Sequence, residues 1–179
     1  VELIKNKKDF SSIPGITFRS KEGIVTTQPK RSLFFDMLPN YESDPFINPT
    51  YPVRIEISRG CPHHCSYCST KNFWGSKLIV NEDDEVINET RLRKKYGFKE
   101  FKFSGDSVPV DKLMTLFSKL NKLKISFGFS TRLDWISPDY LRRFKDSGCK
   151  YIYFGLESGS QRMLKLYNKQ LDIKSAYLN

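Results

Sequence analysis

Apolar and polar side chains alternate along residues 52–57, where Val53, Ile55 and Ile57 are separated by charged residues. A period of two predicts a β-strand. Further short apolar segments predict three more strands, at 98–104, 125–130 and 151–156. Helical spacing of apolar residues follows each strand and predicts four helices, at about 83–96, 111–123, 138–148 and 160–167. Four strand-then-helix units in succession imply parallel strands joined by right-handed crossovers, in an open sheet or a (β/α) barrel.

Capping residues mark the ends of two of these predicted helices. Asn81 or Asp83 is expected to cap the first helix. Ser137 is expected to cap the third, with Pro138 in its first position and Gly148 at its end.

The first fifty residues have a different character. Prolines punctuate them, and the only strand-like segments are 16–19 and 23–26, joined by a turn at Lys21 and Glu22. We predict a small hairpin and a proline-rich linker over residues 1–50, and a separate α/β region over 51–179. A barrel that stopped after four units would leave its last strand edge unpaired, so we expect the chain to be part of a longer polypeptide.

The composition is that of a globular protein. Of its 179 residues, 39% are hydrophobic and 28% are charged. No stretch approaches the roughly 20 apolar residues of a membrane span, and no leader resembles a signal peptide, so we expect a cytoplasmic protein without a membrane partner. The net charge of +10 admits a nucleic-acid partner. That partner is not favoured, because the lysines are scattered and the densest run, 91–95, falls where a helix should end and complements its dipole.

Four cysteines are divided into a tight group and one distant residue. Cys61, Cys65 and Cys68 lie within eight residues, in the segment RGCPHHCSYCS. A reducing compartment argues against disulfides, so the group predicts a metal site. Cys149 stands alone beside a predicted strand and is expected to be a small packed residue.

The nature of the metal is limited by the number of thiols. A structural zinc site takes four ligands, usually as two pairs, and no second pair follows the first three cysteines. His63 or His64 would be an awkward fourth ligand, because both lie between Cys61 and Cys65. Three thiolates on a cubic 4Fe-4S cluster leave one iron open, which is typical of a reactive centre. Iron–sulfur is therefore favoured, and zinc stays open as an alternative.

Polar residues follow every predicted strand. After the cysteine segment come Ser104, Gly105 and Asp106, then Arg132, and finally Glu157. Ligands of parallel sheets and barrels gather at the carboxyl ends of the strands, so these residues should converge on one mouth.

The spacing Cys-x3-Cys-x2-Cys, with Tyr67 just before the last cysteine and a strand just before the loop, resembles the signature of the radical S-adenosylmethionine (SAM) superfamily. The resemblance implies that the open iron of a 4Fe-4S cluster binds the amino and carboxylate groups of SAM. An electron then cleaves the sulfonium to methionine and a 5′-deoxyadenosyl radical. It also implies a partial barrel of six β/α units, of which about four are present here, and an electron donor such as a flavodoxin or ferredoxin.

More of the chain resembles a narrower branch, in which the barrel follows a cobalamin-binding domain. The segments that carry this resemblance are IPGITFR, RGCPHHCSYCS, FWG, FKFSGDS, STRLDWIS and YFGLESGSQRMLKLYNK. The branch implies methyl transfer or another C–H transformation. Its cobalamin signature, Asp-x-His-x-x-Gly, does not occur in the chain, so any cobalamin would be bound by a domain outside it. Residues 1–50 would then be the tail of that upstream domain.

Roles follow from the resemblance position by position. Cys61, Cys65 and Cys68 would ligate the cluster, and Tyr67 would lie near the adenine of SAM. No catalytic residue is assigned beyond the cluster.

The other SAM contacts would come from the strand ends. Ser104, Gly105 and Asp106 stand where many members carry Gly-Gly-Glu, so Asp106 is the candidate for the SAM amino group. Arg132 would meet the SAM carboxylate. Glu157 would accept hydrogen bonds from the ribose hydroxyls or the amino group.

Each assignment has a plainer alternative. Arg132 and Glu157 could simply pair with each other, and Asp106 could be a helix-capping or turn residue. His63 and His64 are expected to be exposed loop residues. For the whole protein, the alternatives are an RNA methylthiotransferase and a non-catalytic zinc or iron–sulfur module, while the substrate, whether a small molecule or a peptide, stays open.

Overall fold

The computed structural model describes residues 10–28 and 48–178. Internal contacts divide the chain into two compact units, residues 1–34 and residues 35–179. The linker predicted after the hairpin falls largely outside the described residues.

The first unit contains the predicted hairpin. Strands β1 (Thr17–Ser20) and β2 (Gly23–Thr26) are antiparallel, with Ser20 opposite Gly23 across a two-residue turn. Gly23 has a φ of +124°, a conformation that side chains disfavour, so a glycine ends the turn without strain.

The second unit alternates strands and helices, as predicted. Its elements in chain order are β3 (Val53–Arg59), α1 (Thr70–Trp74), β4 (Ile79–Val80), α2 (Asp83–Lys95), β5 (Glu100–Gly105), α3 (Val110–Leu120), β6 (Ser126–Thr131), α4 (Pro138–Asp146), β7 (Cys149–Phe154), α5 (Gln161–Leu166) and α6 (Ile173–Leu178). Short 3₁₀ turns follow α3 and β6.

The five strands of this unit form one sheet in the order β4-β3-β5-β6-β7. The four predicted strands, β3, β5, β6 and β7, are parallel to one another, whereas the short β4 pairs antiparallel with β3. The α/β class and the strand-then-helix repeat are thus confirmed. All four parallel strands end at the same edge, hereafter the carboxyl edge.

Phenylalanines dominate the core between the sheet and its helices. Phe117 of α3 is fully buried, and its ring centroid lies 4.5–5.7 Å from those of four others, Phe103, Phe127, Phe129 and Phe144. These rings come from two strands and from α4 as well as α3, so they join successive units. Phe101 and Phe103 of β5, like Phe127 and Phe129 of β6, are two residues apart on their strand, and all four are buried in this core.

Helix ends agree with the predictions in part. Ser137 caps α4 by accepting a hydrogen bond from the Tyr140 amide, and Pro138 is the first residue of that helix. The cap predicted for α2 is wrong, because Glu82 occupies that position and its side chain makes no capping bond. Asp83 is instead buried, with its carboxylate 2.7 Å from the Lys119 ammonium of α3.

Among the described residues, no helix has the length and apolar composition needed to cross a membrane.

Candidate functional site

The three clustered cysteines lie on the loop that leaves the carboxyl end of β3. We call residues 60–70 the cysteine loop. All three thiols are free; those of Cys61 and Cys65 belong to half-buried residues, and Cys68 is exposed. A turn in which the Cys68 amide donates to the Cys65 carbonyl at 3.1 Å shapes the second half of the loop.

A glycine fixes the direction in which this loop leaves the strand. Gly60 has a φ of +80°, and a Cβ there would lie 2.0 Å from the carbonyl oxygen of Lys77. A residue with a side chain would have to displace backbone, so only glycine fits where the segment around Lys77 crosses the start of the loop.

Asp106, from the carboxyl end of β5, holds both ends of the cysteine loop. Its Oδ2 accepts a hydrogen bond from the Gly60 amide at 2.8 Å, and its Oδ1 accepts one from the Thr70 hydroxyl at 3.0 Å. The alternative in which Asp106 caps the following helix is wrong, because Pro109 is the N-cap of α3. Charge-assisted hydrogen bonds of this kind are among the stronger ones in proteins.

The middle of the cysteine loop contacts residues 167–170, the segment after α5. The Ser66 amide donates to the Tyr167 carbonyl at 2.8 Å, and the side-chain amide of Asn168 donates to the His64 carbonyl at 2.9 Å. The rings of Tyr67 and Tyr167 meet edge to face, with centroids 5.7 Å apart. The loop is therefore held at its ends by β5 and in its middle by the last described β/α unit.

Lys169 belongs to the same segment and was not predicted as a site residue. Its buried ammonium lies 3.2 Å from Glu157 Oε1 and 3.3 Å from the Tyr67 hydroxyl. Gly155 makes room for this group, because a Cβ there would lie 2.6 Å from Glu157 Oε1 and 3.1 Å from Lys169 Nζ. Burial raises the pKa of Tyr67, and the acidic groups of Cys65 and Glu157 raise it further, so its hydroxyl stays protonated.

Arg132 stands at the carboxyl end of β6 with its guanidinium already engaged. It makes a bidentate pair with Asp134, at 3.0 Å from Nε and 2.8 Å from Nη2, and Nη2 also donates to the Gln170 carbonyl. The alternative pairing of Arg132 with Glu157 is wrong, since Glu157 pairs with Lys169. Arg132 thus anchors residues 167–170 from the other side.

The two histidines differ from each other. His64 is exposed, as expected. His63 is half-buried, and its ring centroid lies 5.7 Å from that of Trp135, so the expectation of an exposed His63 is wrong. Burial, followed by the Arg132 charge, lowers the pKa of His63, which keeps the ring neutral at neutral pH.

Several polar groups at the carboxyl edge are buried without a protein partner. Within the described residues they include the hydroxyls of Ser58, Ser107 and Thr131, near the ends of β3, β5 and β6, and Nε2 of His63 on the cysteine loop. Ser104 and Gly105 lie on β5 between them, and the Ser104 hydroxyl makes only a long contact, 3.4 Å, with the Ile55 carbonyl. Buried polar groups in folded proteins nearly always have a hydrogen-bond partner, and these have none among the described residues of the protein, so this edge suits a polar ligand or water.

The donor set of the cysteine loop fits a 4Fe-4S cluster. Three free, partly accessible thiols on one short loop can each ligate a different iron, and soft thiolates are the usual protein ligands of such clusters. In the described part of the chain, no three His, Cys, Asp or Glu side chains surround a single point as they would around one metal ion.

Sequence reasoning found the cysteines and the strand-end residues but missed Tyr167, Asn168 and Lys169. These three lie in an irregular segment after a helix, where no apolar period or ligand spacing marks them. The partner of Arg132 was accessible to local reasoning, because Asp134 is two residues away.

Comparison with known proteins locates the chain in a family. A family profile described as the Radical SAM superfamily matches residues 55–176, which is most of the chain. The matched region includes the cysteine loop, the carboxyl edge and residues 167–170.

Two curated relatives are methyltransferases by name. An uncharacterized methyltransferase of Pyrococcus horikoshii is 28% identical over 182 residues, covering 94% of this chain and 39% of that protein. The cytidylyl-2-hydroxyethylphosphonate methyltransferase of Streptomyces wedmorensis is 34% identical over 127 residues, covering 68% of this chain and 24% of that protein. The chain thus spans less than half the length of either relative.

A solved structure shares the fold. The radical S-adenosylmethionine methyltransferase TsrM from Kitasatospora setae, with tryptophan and a SAM analogue bound, matches with a TM-score of 0.72 at 12% identity, covering 91% of this chain and 36% of that one. Another structure of TsrM holds cobalamin and a [4Fe-4S] cluster. The similarity identifies the fold of this chain as a partial radical SAM barrel.

Proposed function

The chain belongs to the radical SAM superfamily, and on that premise we propose that it is the barrel portion of an enzyme that cleaves SAM reductively to a 5′-deoxyadenosyl radical. The observation that carries the proposal is the set of three free thiols on one loop. Hydrogen bonds from the first and last residues of that loop to Asp106 hold it at the carboxyl edge. That loop leaves the parallel sheet where ligands of such folds gather.

Cys61, Cys65 and Cys68 would hold the 4Fe-4S cluster. With three protein ligands, the cluster would offer one open iron for SAM and supply the electron for its cleavage. The protein contributes a fixed loop geometry and the partial burial of Cys61 and Cys65, which limits solvent access.

SAM would lie along the carboxyl edge beside the cysteine loop. Tyr67 would contact the adenine, and Glu157, with one oxygen facing Lys169, would accept a hydrogen bond from the ribose or the amino group. Ser104 and Gly105 would line the floor, together with the unpartnered buried hydroxyls near them. Asp106 and Arg132 would border the same space.

We further propose methyl transfer or a related C–H transformation with cobalamin supplied by a domain outside this chain. The names of the methyltransferase relatives and the cobalamin in TsrM support this. An electron donor such as a flavodoxin or ferredoxin would reduce the cluster, and the small-molecule or peptide substrate would approach from the open side of the barrel.

The test uses the full-length protein, reconstituted anaerobically with iron and sulfide, reduced, and supplied with SAM. We expect about four irons and four sulfides per chain, and formation of 5′-deoxyadenosine. S-adenosylhomocysteine in addition would support methyl transfer. Stoichiometric zinc without a cluster would reject the proposal in favour of a binding module, and a methylthiolated RNA product would favour the methylthiotransferase.

Cysteine variants provide a matched control. Cys65→Ala is expected to abolish both the cluster and SAM cleavage, because two thiolates remain in the loop. Cys149→Ala removes a thiol from β7 instead and is expected to retain both. Equal losses in the two variants would contradict the ligand assignment.

A further inference from the structure

Asp106 connects the two ends of the cysteine loop through a single carboxylate. Each of its oxygens accepts one hydrogen bond, from the Gly60 amide at 2.8 Å and from the Thr70 hydroxyl at 3.0 Å. These donors flank the three cysteines and lie 46 and 36 residues from Asp106 in the chain. The contact is therefore tertiary and not a local turn.

We propose that Asp106 is a positioning residue that ties the first and last residues of the cysteine loop together and so sets the spacing of the three thiols, instead of binding SAM directly. The inference rests on the proposed function only for the identity of the group that the thiols hold. The contacts themselves belong to the protein without any cofactor.

Two glycines allow Asp106 to reach the loop. A Cβ on Gly105 would lie 2.0 Å from the Ser58 hydroxyl oxygen, so the glycine lets the end of β5 approach the end of β3 closely. At Gly60, the positive φ lets the chain turn beneath the Lys77 carbonyl while its amide donates to Asp106. Both glycines serve one geometry, in which the strand ends and the loop start are held together.

The arrangement acts most directly on Cys61 and Cys68. Cys61 follows Gly60 immediately, and Cys68 precedes Thr70 by two residues. If either end were released, the thiol beside it would gain freedom, while Cys65 would still be restrained by the Ser66 contact with Tyr167. The Asp106 carboxylate accepts both hydrogen bonds, so Asp106→Ala removes both ties at once, whereas a change at Thr70 removes only the second.

Hydrogen exchange measures the first tie directly. In the full-length protein, reduced and free of iron, the Gly60 amide is expected to exchange about ten- to a hundredfold faster in Asp106→Ala than in wild type, the range expected for losing a hydrogen bond to a charged group. Alkylation of Cys61 and Cys68 should accelerate in the same variant, and that of Cys149 should not change.

Thr70 variants test the second tie without changing Asp106. Thr70→Val removes the hydroxyl and is expected to accelerate Cys68 alkylation severalfold, whereas Thr70→Ser keeps the hydroxyl and should restore the wild-type rate. After reconstitution, iron should be lost to a chelator faster in Thr70→Val than in Thr70→Ser. These variants carry the test if Asp106→Ala does not fold.

A direct SAM ligand would behave differently. Asp106→Ala would then lower SAM affinity and leave Gly60 exchange and thiol alkylation at their wild-type rates, and this result would overturn the proposal. Equal Cys68 alkylation in Thr70→Val and Thr70→Ser would overturn it too. Failure of the proposed function is distinct: wild-type protein would form no 5′-deoxyadenosine, while Gly60 exchange would still depend on Asp106.

Discussion

The ammonium of Lys169 lies 3.2 Å from the carboxylate of Glu157, beside the loop that carries the three cysteines. The same ammonium contacts the Tyr67 hydroxyl, so one buried cation holds two residues that we propose as SAM contacts. Lys169 follows α5, and Tyr67 belongs to the cysteine loop after β3. The contact therefore joins the first and the last described β/α units across the carboxyl edge.

We predict that Lys169→Met weakens SAM binding about three- to tenfold, because Tyr67 and Glu157 lose the donor that orients them. The free energy of unfolding should fall by only about 1 kcal/mol, since the released Glu157 carboxylate is partly exposed to water. Titration calorimetry on the reconstituted protein measures the affinity, and thermal unfolding measures the stability. Lys165→Met removes an exposed lysine of α5 and should change neither; equal effects of the two variants would contradict the assigned role.

We predict that Gly155→Ala has a similar effect on SAM affinity by a different route. The added methyl would lie within 3.1 Å of both Glu157 Oε1 and Lys169 Nζ and would push these flexible ends apart. Cluster content should stay at the wild-type level. Both changes disrupt the same contact between Lys169 and Glu157, so the double variant Gly155→Ala/Lys169→Met should bind SAM about as weakly as Lys169→Met alone. Additive losses in the double variant would indicate an independent effect.

We predict that Phe117→Ala lowers the free energy of unfolding by about 3–5 kcal/mol, since Phe117 is fully buried among four other phenylalanine rings. Denaturant titration in the absence of iron measures the loss. Phe73→Ala removes the same side chain from an exposed position on α1, where it contacts Trp74, and should cost less than about 1 kcal/mol. A comparable cost for both would mean that α1 is more deeply packed than its exposure indicates.

Two strands show the burial pattern that makes a strand predictable, because buried and more exposed residues alternate along β5 and along residues 53–57 of β3. The other two parallel strands were predictable only as short apolar segments, since burial does not alternate along β6 or β7. The ends of the strands were less predictable than their existence. Strand β7 begins at Cys149 and not at Tyr151, because Cys149 pairs with Phe127 on β6. The two-residue β4 has too few residues to show any period. Strand boundaries depend on which neighbour is available for hydrogen bonding, and that is a property of the folded sheet.

The site residues could be predicted from the sequence, whereas most of their contacts could not. Spacing alone identified the three cysteines, and topology identified the edge to which Asp106 and Glu157 belong. What these carboxylates bind was not accessible, because the donors Thr70 and Lys169 reach them only after the strands have paired. The resemblance to the radical SAM superfamily implied that Asp106 contacts the amino group of SAM and that Arg132 contacts its carboxylate. It carried no information on the protein partners of these side chains, which are the Gly60 amide for Asp106 and the Asp134 carboxylate for Arg132.

The fourth cysteine provides a last prediction, on reactivity. Burial raises the pKa of the Cys149 thiol to about 11, with its Sγ close to the Tyr151 carbonyl. At pH 8 its thiolate fraction should be on the order of a hundredfold below that of an unperturbed thiol, and the thiolate is the form that reacts. In the iron-free protein, iodoacetamide should therefore modify exposed Cys68 long before Cys149, as measured by peptide mass spectrometry over time.

Raising the pH from 8 to 10 should accelerate Cys149 alkylation by nearly tenfold per pH unit, because the thiolate fraction of Cys149 is still rising in this range, while that of an ordinary thiol levels off. If Cys149 instead reacts as fast as Cys68 at pH 8 in folded protein, its side chain is not buried on β7.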